Sequence, residues 1–128
     1  MTENVETILV VDDNPGGRAV AREILASAGY TVLEAGTADE AIATIRSGRP
    51  IQLVIIDIML PGVRGTTLAK KLSRQQPRMK ILLTSGYLDS SESGETAMFE
   101  NLPFLQTPFT SQTLREKVRS VLDTDQSS

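Results

Sequence analysis

Three acidic residues in this chain stand where they could do chemistry. Asp12 and Asp13 follow the apolar, β-branched run Thr7–Val11, and Asp57 ends the apolar run Leu53–Asp57, just ahead of a Pro61-Gly62 turn. A charge at the lip of a core is costly unless something pairs with it. If the two runs are neighbouring strands, three carboxylates meet in one small pocket, where unpaired they repel one another and raise their pKa values. A hard divalent cation resolves that repulsion, and Mg²⁺ takes one or two carboxylates together with waters and phosphate oxygens. Beside such an ion a carboxylate can also attack phosphorus and form an aspartyl-phosphate. Phosphoryl transfer needs positioning and charge neutralisation more than covalent help from other groups. Thr84 ends another apolar run and could offer its hydroxyl to a phosphoryl oxygen. Bonding to local turn backbone is an equal reading of that residue alone. Asn14 and Asp13 also have a plainer use as helix caps, which suits Asn14 better than the acidic pair.

Two absences narrow the chemistry further. The chain has no Cys, which excludes disulfides, thiolate nucleophiles and Cys-ligated zinc. It has no His, which removes the commonest general base, the commonest metal ligand and any phosphohistidine step within this chain. What remains is carboxylates, hydroxyls, backbone groups and a borrowed ion. At 128 residues, 40 % apolar and 23 % charged, the composition is that of one globular domain. The net charge of −3 gives no electrostatic case for nucleic-acid binding. No apolar run approaches the roughly 20 residues that span a bilayer, and no signal-peptide pattern opens the chain. The expectation is a cytoplasmic protein without a membrane partner.

The elements that must position these residues alternate along the chain. Thr7–Val11 reads as a first strand and Thr31–Ala35 as a second. Between them Pro15 suits the first turn of a helix, Val20, Ile24 and Ala28 recur at helical spacing, and Gly29 stops it. Thr37 and Glu40 have capping-box spacing ahead of Ala41, Ile42 and Ile45, and Gly48 closes that second helix. Leu53–Asp57 is the third strand, and Leu68 and Leu72 mark a helix that ends before Pro77. Residues 80–84 form a fourth strand, and 89–100 are polar enough to allow only a short or frayed helix. Residues 103–106 are a weak edge strand, tolerant of proline. Leu114, Val118, Val121 and Leu122 make a final helix, so that the domain covers 1–123 and 124–128 are a tail. Five short strands alternating with helices point to an α/β protein with a parallel sheet covered on both faces. Ligands of such open sheets bind beyond the carboxyl ends of the strands. The residues to inspect are therefore Asp12, Asp13, Asp57, Thr84, Ser85 and those near Thr107.

Four segments together are specific: "ILVVDDN" at 8–14, "LVIIDIMLPGVRG" at 53–65, "ILLTSGY" at 81–87 and "PFLQTPFT" at 103–110. Over essentially its whole length the chain resembles the receiver domain of two-component response regulators. The wording of the last two segments resembles receivers attached to hybrid sensor kinases. The resemblance implies a flavodoxin-like, doubly wound sheet of order 2-1-3-4-5. It also implies Mg²⁺-dependent transfer from the phosphohistidine of a histidine kinase or histidine phosphotransfer protein onto Asp57. On it, Asp13 and Asp57 would hold the metal through side chains, Asp12 through a water, and Met59 through its backbone carbonyl. Thr84 would swing toward the phosphoryl group, and Phe104 would match the aromatic whose rotation reports that movement. Without the resemblance Phe104 reads as a core residue on an edge strand.

One position departs from the family pattern. Where the family has a lysine just before the proline of the last segment, this chain has Thr107, and Gln106 supplies no cation either. Three carboxylates and Mg²⁺ sum to −1, which a lysine would bring to zero. Losing one preorganised stabilising donor can raise a barrier by about 2.7–4 kcal/mol, which slows transfer without abolishing it. Arg64, on the loop after Asp57, is the best substitute cation; Arg78 and Lys80 start the fourth strand, at the far end of the sheet. Two readings follow, a receiver with slowed or altered phosphotransfer and a degenerate receiver that docks partners without phosphate. A phosphohydrolase of the haloacid dehalogenase type would want a second carboxylate two residues after the nucleophile, and Met59 stands there. A flavin phosphate would be repelled by the acidic pocket.

Overall fold

The computed structural model describes residues 5–85 and 102–124. Five parallel strands, β1 (Thr7–Val11), β2 (Thr31–Ala35), β3 (Leu53–Asp57), β4 (Lys80–Ser85) and β5 (Phe104–Gln106), form one sheet in the order β2-β1-β3-β4-β5. The order reverses between β1 and β3, whose pairing runs from Ile8–Leu53 to Val11–Ile56. Alternate side chains on each strand face opposite ways and build two cores. Leu9, Val11, Val54, Ile56 and Leu83 pack on one face against α2 (Ala38–Arg46) and α3 (Gly65–Gln75). Ile8, Val10, Leu53, Ile55 and Leu82 pack on the other against α1 (Pro15–Ser27) and α4 (Ser111–Asp123). Apolar runs without polar alternation are what strands buried on both faces require.

The helix starts follow the expected caps, with one change. Asn14 Oδ1 accepts from the amides of Gly16 and Gly17 at 2.9 and 3.1 Å, and Pro15 occupies the first turn. Gly29 and Gly48 take φ of +102° and +87° after α1 and α2. Thr37 Oγ1 accepts from the Glu40 amide at 3.1 Å, but the Glu40 carboxylate reaches back to the amide of Gly36, at 2.6 Å, instead of that of Thr37. The reciprocal bond thus ties the end of the β2 loop to the helix.

Three expectations need correcting. The buried face of α1 is Ala21 and Leu25, with Ile24 partly packed, whereas Val20 is half exposed and Ala28 is exposed. Small Ala21 lets the helix lie close to β1, which turns Val20 outward. Strand β4 runs one residue further, to Ser85, and β5 begins at Phe104. Pro103 still takes part through its carbonyl, which accepts from Leu83 N at 3.0 Å. The short helix expected in 89–100 lies outside the described residues. Among the described residues no helix is long and apolar enough to cross a membrane.

Candidate functional site

The strand ends deliver Asp57, Asp12 and Thr84 to one edge of the sheet. Asp57 closes β3 beside Thr84 of β4, its register partner, and Asp12 and Asp13 follow β1 on the other side. One ligand atom from each of Asp12, Asp13 and Asp57 lies within 4.8 Å of the other two. Their convergence is what the sheet rule anticipated.

Local amides fix one oxygen on each of the two inner carboxylates. Asp57 Oδ1 accepts from Met59 N at 2.9 Å, and Asp12 Oδ1 accepts from Asn14 N at 2.9 Å. Both are side-chain turns that bond two residues on, a habit of aspartate that also aims the second oxygen. Burial pushes the Asp57 carboxyl above the ordinary aspartate range. The charges of Asp12 and Asp13 and a hydrogen bond with Asp12 push the same way, while the Met59 amide opposes them. A group held in that state gains from a cation. Three oxygen donors of like charge, each with an oxygen to offer, fit a hard divalent ion such as Mg²⁺.

The backbone around Asp57 leaves little freedom. A Cβ on Gly65 would lie 2.5 Å from Ile58 Cα and 2.8 Å from the Asp57 carbonyl oxygen, so α3 can start against the end of β3 only with glycine there. The Gly65 amide donates to Ile58 O at 3.1 Å, and the Ile58 amide donates to Thr84 O at 3.0 Å. Together these bonds seat the β3 end between α3 and β4.

Thr84 is 6 % exposed and lines, with Asp12, Asp57 and Thr107, a cleft of about 470 Å³ between α1 and the segment leading into α4. The Thr107 amide donates to Ser85 O at 2.9 Å, which holds this residue beside the site. Phe104 is half-buried and packs with the α2–α3 core. It is the register partner of Leu83, so strand alternation puts it on the sheet face opposite Thr84.

Among the described residues no lysine or arginine lines the cleft, and Arg18 and Lys80 are bonded to other groups. Arg18 was not singled out by the sequence; its Nη1 donates to the Asp12 carbonyl at 2.7 Å while its Nε pairs with Glu34 at 3.0 Å. Helical spacing from the Asn14 cap would have placed it on the first turn and a half of α1, within reach of the loop after β1. The ammonium of Lys80 donates to the carbonyls of Val121 and Thr124, at the opposite end of the sheet. Arg64 is the N-cap residue of α3 and is not part of the cleft wall. The role of the Met59 amide was also missed; the reading had looked to its carbonyl.

A 2-1-3-4-5 parallel sheet with an acidic cluster at its switch point defines an α/β domain of the flavodoxin-like type. The family model of the response regulator receiver domain matches residues 8–119, and the chain belongs to that family. It is 32 % identical over 124 residues to the sensor kinase CckA of Brucella abortus, an alignment that covers 91 % of this chain and 12 % of the kinase. A CheY-like receiver domain protein from Methanospirillum hungatei JF-1 superposes with a TM-score of 0.82 at 31 % identity, covering 94 % of this chain and 95 % of that one. The receiver domain from the hybrid histidine kinase CckA superposes with a TM-score of 0.77 at 32 % identity, covering 91 % and 99 %. The chain spans 12 %, 36 % and 9 % of the lengths of three curated relatives it matches.

Proposed function

We propose that this receiver accepts a phosphoryl group on Asp57, with Mg²⁺ held by Asp12, Asp13 and Asp57 and the Met59 carbonyl. The observation that carries this reading is the convergence of the three carboxylates within 4.8 Å at the end of β3. The donor is a phosphohistidine on a histidine kinase or histidine phosphotransfer protein, because this chain has no histidine of its own. The relationship to a sensor kinase supports that class of partner and a place among hybrid-kinase receivers. A phosphohistidine partner of that kind supports a cytoplasmic site of reaction.

Met59 N occupies Asp57 Oδ1, which leaves Oδ2 as the attacking oxygen. A bond forms from Oδ2 to phosphorus as the bond from phosphorus to the partner's imidazole nitrogen breaks, and the imidazole leaves with that electron pair and takes up a proton. Mg²⁺, when bound, supplies charge neutralisation to the phosphoryl oxygens. Thr84 donates its hydroxyl hydrogen to one of those oxygens from the adjacent strand. A shift of Thr84 is passed through β4 to Phe104, whose ring turns and changes the surface near β5 and α4. Thr107 supplies no cation, so transfer runs slower than a lysine there would allow, by about 10²–10³-fold.

The test is intact-mass spectrometry after incubation with phosphoramidate, run with Mg²⁺ and with EDTA. A single phosphoryl adduct that needs Mg²⁺ is expected. An adduct of the same extent in EDTA would sink the metal assignment, and none under either condition would sink the phosphoacceptor reading.

A further inference from the structure

The amide, the carbonyl and one carboxylate oxygen of Asp12 are each tied down. The amide donates to the Ala35 carbonyl at 3.1 Å, extending the β1–β2 ladder, and Oδ1 accepts from the Asn14 amide at 2.9 Å. These are ordinary ladder and turn bonds. The carbonyl is different, because it accepts from a charged side chain, Arg18 Nη1 on α1, at 2.7 Å. Such charge-assisted bonds are short and about twice as strong as neutral ones. The Arg18 side chain is only 21 % exposed, so its charge is largely withdrawn from water to hold a backbone group.

Arg18 is itself aimed by its neighbours. Its Nε pairs with Glu34 Oε1 at 3.0 Å, and the other oxygen of Glu34 is held by Arg22 Nε at 2.9 Å. Glu34 precedes Ala35 on β2, so the strand that takes the Asp12 amide also directs the guanidinium to the Asp12 carbonyl. A planar fork serves both partners at once, which the single nitrogen of a lysine cannot do in that geometry. Gly36 leaves the room. It has no positive φ that would call for glycine, but a Cβ there would lie 3.0 Å from Arg18 Nη1.

We infer that Arg18 is a positioning residue: it clamps the loop carrying Asp12 and Asp13 against the end of β2, and so sets where their carboxylates stand beside Asp57. Glu34 aims the clamp and Gly36 gives it space. Arg18 acts only through the Asp12 backbone. The consequence for Mg²⁺ binding rests on the phosphoacceptor reading above, whereas the hold on the loop does not. An ion pair of purely structural use would leave the loop as it is and add little to stability.

Two variants separate these cases: Arg18→Lys keeps the charge and loses the fork, and Glu34→Gln keeps Arg18 and weakens its aim. Amide hydrogen exchange is followed by NMR in EDTA at Asp12 and Asn14, with Leu9 and Val54 in the core as references. Both variants are expected to exchange about tenfold faster at Asp12 and Asn14, the loss of one charge-assisted bond, with the references unchanged. Exchange equal to the parent's at those two amides in either variant, or the same acceleration at all four, would overturn the proposal. In a parallel titration, Arg18→Lys is expected to bind Mg²⁺ about tenfold more weakly, as loss of a group that orients a ligand does. An unchanged dissociation constant despite faster loop exchange would overturn the positioning role. Faster loop exchange in variants of a parent that binds no Mg²⁺ and takes no phosphoryl group would uphold the clamp while refuting the phosphoacceptor reading.

Discussion

Asp57 is held between opposing influences, and its response to pH follows from them. Its folded pKa lies above the ordinary value of 3.8, chiefly through burial, with the Asp12 and Asp13 charges adding. A raised carboxylate pKa means the folded protein holds that proton more tightly than the unfolded chain, so stability falls as pH rises from the unfolded value through the folded one. Asp57→Asn removes the charge, and the variant should unfold at higher temperature than the parent at pH 7 in EDTA. The gap should close below about pH 4, where the parent carboxyl is protonated in both states; thermal melts across pH check this. Thr107→Lys should raise the phosphorylation rate by about 10²–10³-fold, read from initial rates with phosphoramidate and Mg²⁺. An unchanged rate would mean that the site is neutralised in some other way. The acidic cluster was legible because each carboxylate directly ends or follows an apolar run. The Met59 amide and Arg18 were not, since both act through backbone groups whose partners no residue type announces.

Among the elements, α1 shows how far periodicity reaches. Val20, Ile24 and Ala28 repeat with a helical period, but so do Ala21 and Leu25, and hydrophobicity alone favours the larger Val20. Close packing against β1 selects the small Ala21 instead and leaves Val20 on the cleft. Caps were easier to read: Asn14, Thr37, Gly29 and Gly48 do what their side chains or lack of one suggest. Gly65 gave no such warning, because its reason is the approach of α3 to Ile58 and Asp57, a tertiary fact. Gly65→Ala meets fixed backbone and should destabilise the protein by about 1–3 kcal/mol, as overpacking does. Urea denaturation reads the stability. Because the strain falls on the end of β3, the phosphorylation rate of the folded variant should drop too; a rate equal to the parent's would show that Asp57 tolerates movement of its strand end.

For the whole molecule, the sheet order could not be read from strand lengths or polarity, and it came to the sequence reading only through resemblance to a family. The order matters because it puts β1 and β3 side by side, and so brings Asp12 and Asp13 against Asp57. A cation that binds only this assembled cluster must stabilise the whole fold by linkage. Mg²⁺ at ten times its dissociation constant should add about 1.4 kcal/mol and raise the melting temperature by a few degrees, with little effect on Asp57→Asn. Calorimetry with and without the ion is the check, and equal gains in parent and variant would place the ion elsewhere. The measurement closest to the central claim is chemical location of the phosphoryl group. After phosphorylation with Mg²⁺, borohydride reduction converts an aspartyl-phosphate to homoserine, which peptide mass spectrometry then places in the chain. Homoserine at position 57 alone is the predicted result. Homoserine at 12 or 13, or at no position after an adduct has formed, would contradict the account.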